Sequence, residues 1–121
     1  MIGKVYISTF PFFDRKTQTN SFKSRPCLII GKADEGDFVV LPISSINDKS
    51  KVDPVYDIPL KNSAIKFLDK DCYLRTHKQT TINLSHLRYS IGDLKADYNE
   101  TYLEALSLVE EFQKKLLENA L

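Results

Sequence analysis

Two short apolar runs, Pro26-Cys27-Leu28-Ile29-Ile30 and Phe38-Val39-Val40-Leu41-Pro42-Ile43, flank the turn-forming Asp34-Glu35-Gly36-Asp37. Each run is continuously apolar, short and rich in β-branched residues, so the pair predicts two buried strands joined by a tight connection. Before them, Lys4-Val5-Tyr6-Ile7-Ser8-Thr9-Phe10 alternates with Val5 and Ile7 on one face, which predicts a strand ending at Pro11. Residues 14–24 are mostly Lys, Thr, Gln, Asn and Ser with almost no apolar content, the composition of a mobile loop.

Residues 44–53 form a second polar loop, Tyr56-Asp57-Ile58 a short strand, and Cys72-Tyr73-Leu74-Arg75 the start of a strand running towards Ile82. The C-terminal segment has a different period. Leu103, Leu106, Val109, Phe112 and Leu116 recur at steps of three and four, with Asp97 and Glu100 spaced as a capping box. This predicts an amphipathic helix of about five turns packed on the sheet, with Glu104, Glu110, Glu111 and Lys114 on its solvated side. The resulting fold class is β-rich α+β, a small antiparallel sheet followed by one helix.

At 121 residues, with 42% hydrophobic and 27% charged residues, the chain is expected to be one globular domain over 1–121. No apolar run approaches the roughly 18 residues that cross a bilayer, so neither a membrane span nor a secretory signal is expected. Cys27 and Cys72 sit inside apolar segments without CxxC spacing, as buried thiols in a reducing cytoplasm would. A zinc site is not expected.

The net charge of +1 favours no partner, but its distribution is uneven. Arg15, Lys16, Lys23, Arg25 and Lys32 come without an intervening acid, and residues 66–88 carry five basic residues against Asp69 and Asp71. If the two basic segments meet in space they form a polyanion-binding face. The four glycines are scattered, with turn duties expected for Gly36 and Gly92, and no phosphate-binding glycine loop exists. The remaining chemistry is a basic and hydroxyl-rich set: Arg25, Ser44, Ser45, Arg75, His77, Lys78 and Thr80. Metal-free RNA cleavage needs a base for the 2′-hydroxyl, a donor for the leaving oxygen and cations or hydroxyls around the phosphorane, and this set has candidates for all three. Taken singly, Arg25 also fits a surface ion pair, His77 a polar strand end and Ser44 a strand-terminating hydroxyl.

The order of the pieces resembles the PemK/MazF-like toxins. The strand with Phe10-Pro11-Phe12-Phe13-Asp14 resembles the opening of the PemK-like branch, and Ser24-Arg25-Pro26-Cys27-Leu28-Ile29-Ile30 its arginine-proline strand. Val39-Val40-Leu41-Pro42-Ile43-Ser44-Ser45 looks like the second motif, and Cys72-Tyr73-Leu74-Arg75-Thr76-His77-Lys78-Gln79-Thr80-Thr81-Ile82 like the third. The MazF branch usually has threonine where Ser44 stands and arginine where Thr80 stands.

The resemblance implies a small SH3-like, barrel-like antiparallel sheet of CcdB/MazF type with a C-terminal helix. It implies a homodimeric, cytoplasmic endoribonuclease toxin that cuts single-stranded RNA without metal or other cofactor and is neutralised by an antitoxin protein. Catalysis is then expected at Arg25 and Ser44, with His77 as the proton-transfer group because an imidazole titrates near neutrality. RNA binding is expected at Lys16, Lys23, Ser45, Arg75, Lys78 and Thr80. The alternative is a non-catalytic binding or inhibitor module, phage-borne or not, that offers the same groove to a protein target.

Overall fold

The computed structural model describes the backbone throughout and every side chain except those of residues 10–13, so the side chains of the Phe-Pro-Phe opening lie outside the described residues. Seven strands, β1 (Lys4–Asp14), β2 (Thr19–Asp34), β3 (Asp37–Ser44), β4 (Asp57–Leu60), β5 (Cys72–Arg75), β6 (Thr80–Asn83) and β7 (Leu87–Asp93), precede a one-turn helix α1 (Leu94–Asp97) and the long helix α2 (Asn99–Ala120). The strands make one sheet in the order β4-β5-β3-β2-β1-β7, with β6 also paired to β3. Every pairing is antiparallel, and the sheet curls into a half-barrel closed by the C-terminal helix.

The central hairpin forms as expected, with Gly36 supplying the positive φ of +75° at its turn. Its strands are apolar without alternation because both faces are covered. Leu28, Leu41 and Ile43 join Val5, Leu74, Tyr102 and Ala105 in the main core beneath α2, while Cys27, Ile29 and Val40 join Ile82 in a smaller core.

Four expectations are corrected. First, residues 14–24 are not a loop. The β1–β2 ladder continues to the Asp14↔Thr19 pair, and only a short turn remains, held by Gln18 Nε2 donating to the Arg15 carbonyl at 2.7 Å. β7 leaves β1 after Ser8↔Leu87, and β3 begins pairing with β2 only at Cys27, so the extension is a two-stranded ribbon with residues 15–20 exposed and Ser21 alone of residues 21–24 half-buried. On β2 these exposed polar residues leave no apolar alternation to read. β1 likewise runs through Pro11, which a strand tolerates where its outer side has no partner.

Second, the strand expected from Cys72 to Ile82 is two. Both halves pair with β3, at Ile43↔Leu74 and Val40↔Thr80, while the chain between them detours so that the buried Thr76 hydroxyl reaches the Tyr56 carbonyl at 2.6 Å. Pro42, which has no backbone donor, falls in the resulting gap on β3.

Third, β7 lacks strong alternation and was not expected. Gly92 within it has no turn duty: a Cβ there would collide with the Phe67 ring, so glycine is what lets Phe67 lie against the strand.

Fourth, Asp97 does not cap the long helix. Asp93 caps α1 by accepting from the Ala96 N–H at 2.9 Å, and α2 begins without a side-chain cap. Its packed face uses Tyr102 and Ala105 with Leu106 and Val109, while Leu103 and Leu116 point outward. Among the described residues, no helix is long and apolar enough to cross a membrane.

Candidate active site

β2 and β3 deliver their polar residues to one groove. Arg25 sits where β2 leaves its solvated ribbon and enters the sheet, and Ser44 is the last residue of β3, opposite Tyr73 across the ladder. The position of Arg25 is fixed through its backbone. The fully buried Ser8 lies directly across from it on β1, and its hydroxyl donates to the Arg25 carbonyl at 3.0 Å.

The groove between these strands and the segment before β5 has a volume of about 570 Å3. Lys23, Arg25 and Lys70 bring three cations to its wall against the single carboxylate of Asp69, and Ser24, Ser44 and Ser45 add hydroxyls. Phe67 and Leu68 form its apolar side, and Tyr89 of β7, 60% exposed, stands at its edge. Among the described residues, the Arg25 guanidinium and the Lys70 ammonium make no hydrogen bond or ion pair. A half-buried guanidinium with its donors uncommitted is suited to a planar anion. Cys72 also lines the groove, but burial, reinforced by Asp69 and Asp71, pushes its thiol up to about 11. It is therefore a neutral wall residue and not a nucleophile.

Arg75 and His77 lie elsewhere. Their centre is Asp57 of β4, whose carboxylate is completely buried and accepts from Arg75 Nε at 3.0 Å, Arg75 Nη2 at 3.2 Å and the Asp53 N–H at 2.8 Å. His77 Nδ1 is 3.7 Å from the same carboxylate, and its ring packs near Tyr56 and Phe112 of α2. Burial lowers the His77 pKa, Asp57 and Asp53 oppose that shift, and Arg75 and Lys78 reinforce it. The imidazole Nδ1 and the Tyr56 hydroxyl are both buried without a hydrogen-bond partner among the described residues. Arg75 Nη2 also reaches the Lys51 carbonyl at 3.4 Å, tying down the loop that follows Ser44.

Of the expected site residues, the structure thus brings together Lys23, Arg25, Ser44 and Ser45. Arg75 and His77 share the Asp57 cluster instead. Lys78 and Thr80 are exposed on the turn into β6, where the Thr80 hydroxyl donates to the Lys78 carbonyl at 3.0 Å. Lys16 is at the ribbon tip, its N–H bonded to Asp14. Sequence reasoning missed Lys70, hidden between two acids, Tyr89, on the unrecognised β7, and Asp57. For Asp57 a signal existed, since a carboxylate between Tyr56 and Ile58 in a short strand predicts a buried charge needing a partner.

Residues 2–109 match the PemK-like, MazF-like toxin of type II toxin-antitoxin systems. The chain belongs to that family. Comparison with curated proteins returns no match. As a PemK/MazF-like toxin it is one half of a toxin-antitoxin pair, and an antitoxin is its partner. In this toxin the groove joins the end of the arginine-proline motif to the end of the second motif, two segments 19 positions apart in sequence that the hairpin register places side by side.

Proposed function

We propose that this toxin is an endoribonuclease that cuts single-stranded RNA without a metal ion, in the cytoplasm and as a homodimer. The observation that supports this reading best is the uncommitted Arg25 guanidinium facing the same groove as the Ser44 hydroxyl and two lysines. In the reaction, the 2′ oxygen bonds to the adjacent phosphorus as its proton leaves, the bond from phosphorus to the 5′ oxygen breaks, and that oxygen takes up a proton. The products are a 2′,3′-cyclic phosphate and a 5′-hydroxyl.

Charge accumulates on the non-bridging oxygens of the phosphorane, which is where a fixed guanidinium and a hydroxyl donor act. Arg25 takes the first role and Ser44 the second. Asp69 is the groove's carboxylate for the 2′ proton, and Lys70 stands for the charge on the leaving oxygen. His77, enclosed between Tyr56 and Phe112, is left out of proton transfer in this assignment.

The test is incubation of the purified chain with a mixed-sequence RNA in EDTA, followed by end mapping and comparison with Arg25→Ala. Defined internal cuts with cyclic-phosphate ends, lost in the variant, are expected. A well-folded wild-type protein that leaves RNA intact and unbound overturns the reading and favours the protein-binding module.

A further inference from the structure

A second cavity of about 260 Å3 adjoins the groove, and Ser45 and Cys72 line both. Its other walls are Asn47 and Lys49 of the loop after β3, Tyr73 of β5, and Pro59 with Lys61 and Asp71. The two cavities therefore share a wall at Ser45 and Cys72.

The loop forming this second wall is held in place. Asp48 caps the single 3₁₀ turn over Lys49–Lys51 by accepting from the Ser50 N–H at 3.0 Å, and Arg75 holds the Lys51 carbonyl. Lys49 Nζ donates to the Tyr73 hydroxyl at 2.8 Å and lies 5.2 Å from the centre of the Tyr73 ring. The Lys61 ammonium is offset by Asp71 at 3.7 Å, whereas Lys49 has no carboxylate partner among the described residues. Asn47 is exposed, and its amide makes no hydrogen bond among the described residues.

The pocket thus contains an aromatic ring, one amide with both donor and acceptor capacity, apolar walls from Ile46 and Pro59, and one net positive charge from Lys49. This is the chemistry that captures an unstacked base, through stacking on the ring and hydrogen bonds to its edge, with a phosphate nearby. The first cavity, richer in cations, has the chemistry for the phosphate itself.

We propose that the cavity formed by Asn47, Lys49 and Tyr73 is a base pocket for the nucleotide adjacent to the phosphate held at Arg25 and Ser44, and that Asn47 reads that base. The inference rests on the endoribonuclease reading above. The Asn47 carboxamide distinguishes bases because it carries both a donor and an acceptor, just before the turn that Asp48 caps, while Tyr73 supplies sequence-tolerant stacking.

The experiment is cleavage of a randomised single-stranded RNA pool by the full chain, with sequencing of the cut ends, and parallel binding of a 2′-methoxy oligonucleotide pool. The variants are Asn47→Ala, Lys49→Ala and Tyr73→Phe, with Lys114→Ala on α2 as control. Asn47→Ala is expected to flatten the base preference at one position next to the cut by about tenfold, the scale of one lost hydrogen bond. Lys49→Ala should weaken binding several-fold without changing which base is preferred, and Lys114→Ala should change neither. Base frequencies unchanged at every position in Asn47→Ala, with wild-type melting and active wild-type enzyme, overturn the base pocket and leave the nuclease intact. Variants that lose affinity only for the antitoxin also overturn it, because the cavity is then a protein contact. A wild-type protein that neither cuts nor binds RNA overturns both readings.

Discussion

The guanidinium of Arg75 and the carboxylate of Asp57 meet through two hydrogen bonds, 3.0 Å from Nε to Oδ1 and 3.2 Å from Nη2 to Oδ2. The pair joins β5 to β4 at their Asp57↔Arg75 register position. An arginine so engaged has most of its donors spent, and its side chain is only 22% exposed. These bonds hold β5 to β4.

Arg75→Ala is therefore expected to unfold the protein more easily, by about 3 kcal/mol, because it strands a buried carboxylate whose remaining hydrogen bond is from the Asp53 N–H. Urea denaturation measures this, and Arg75→Ala combined with Asp57→Asn should recover part of the loss. A variant that melts like wild type but has lost RNA binding would instead make Arg75 a phosphate contact.

His77 sits against the same carboxylate, and its effect depends on pH. Burial lowers its folded-state pKa below the ordinary 6.5, so the unfolded chain binds the proton more readily than the folded one. The sign follows from linkage: the contribution of a neutral His77 is fully present above about pH 6.5 and declines as the pH falls from there towards the lower folded value. The groups facing the ring are Asp57, Asp53, Arg75 and Lys78, with the Tyr56 ring tilted beside it and Phe112 edge-on to it. Urea midpoints between pH 5 and 8 should fall on the acid side, and His77→Gln should flatten that slope. An unchanged slope in the variant would assign the acid sensitivity to another group.

The sequence was most legible where burial was continuous. Leu28, Ile29, Val40 and Leu41 declared a buried hairpin because each face of the sheet there has its own core. It was least legible where the elements are wet: residues 19–24 form a strand with solvent on both sides, and β7 has three consecutive exposed residues, Arg88, Tyr89 and Ser90. That Arg25 and Ser44 lie side by side at one groove was legible, because each borders an apolar run of the buried hairpin. That Arg75 and His77 meet at Asp57 was not legible, because a charged residue at a strand end looks the same whether it faces a phosphate or a buried aspartate, and only tertiary packing separates the two.

Gly92 offers a test of how the groove keeps its shape. A methyl group there would strike the Phe67 ring, which packs edge-on against Tyr98 at 5.8 Å between centroids. Gly92→Ala is expected to displace Phe67, cost about 1 to 3 kcal/mol as overpacking does, and reduce RNA affinity. Adding Phe67→Leu should restore much of the stability, so that the two changes are non-additive in a double-mutant cycle. Simple additivity would mean that the ring does not rest on this glycine.

The final expectation concerns which charges hold the polyanion. Net charge is only +1, so long-range attraction is weak and binding should depend on cations that line the groove. For a single strand, each phosphate contact adds about 0.7 to the slope of log affinity against log salt. Lys70→Ala should therefore lower the slope measured with a 2′-methoxy oligonucleotide by about 0.7, and Arg25→Ala by a similar step. Lys78 is exposed on the turn before β6, outside the groove lining, so Lys78→Ala should leave the slope unchanged. The comparison separates two surfaces that the sequence could not. If Lys78→Ala lowers the slope and Lys70→Ala does not, the strand passes over the Arg75–Lys78 side of the sheet, and the assignment of Arg25, Ser44 and Lys70 to one RNA groove fails with it.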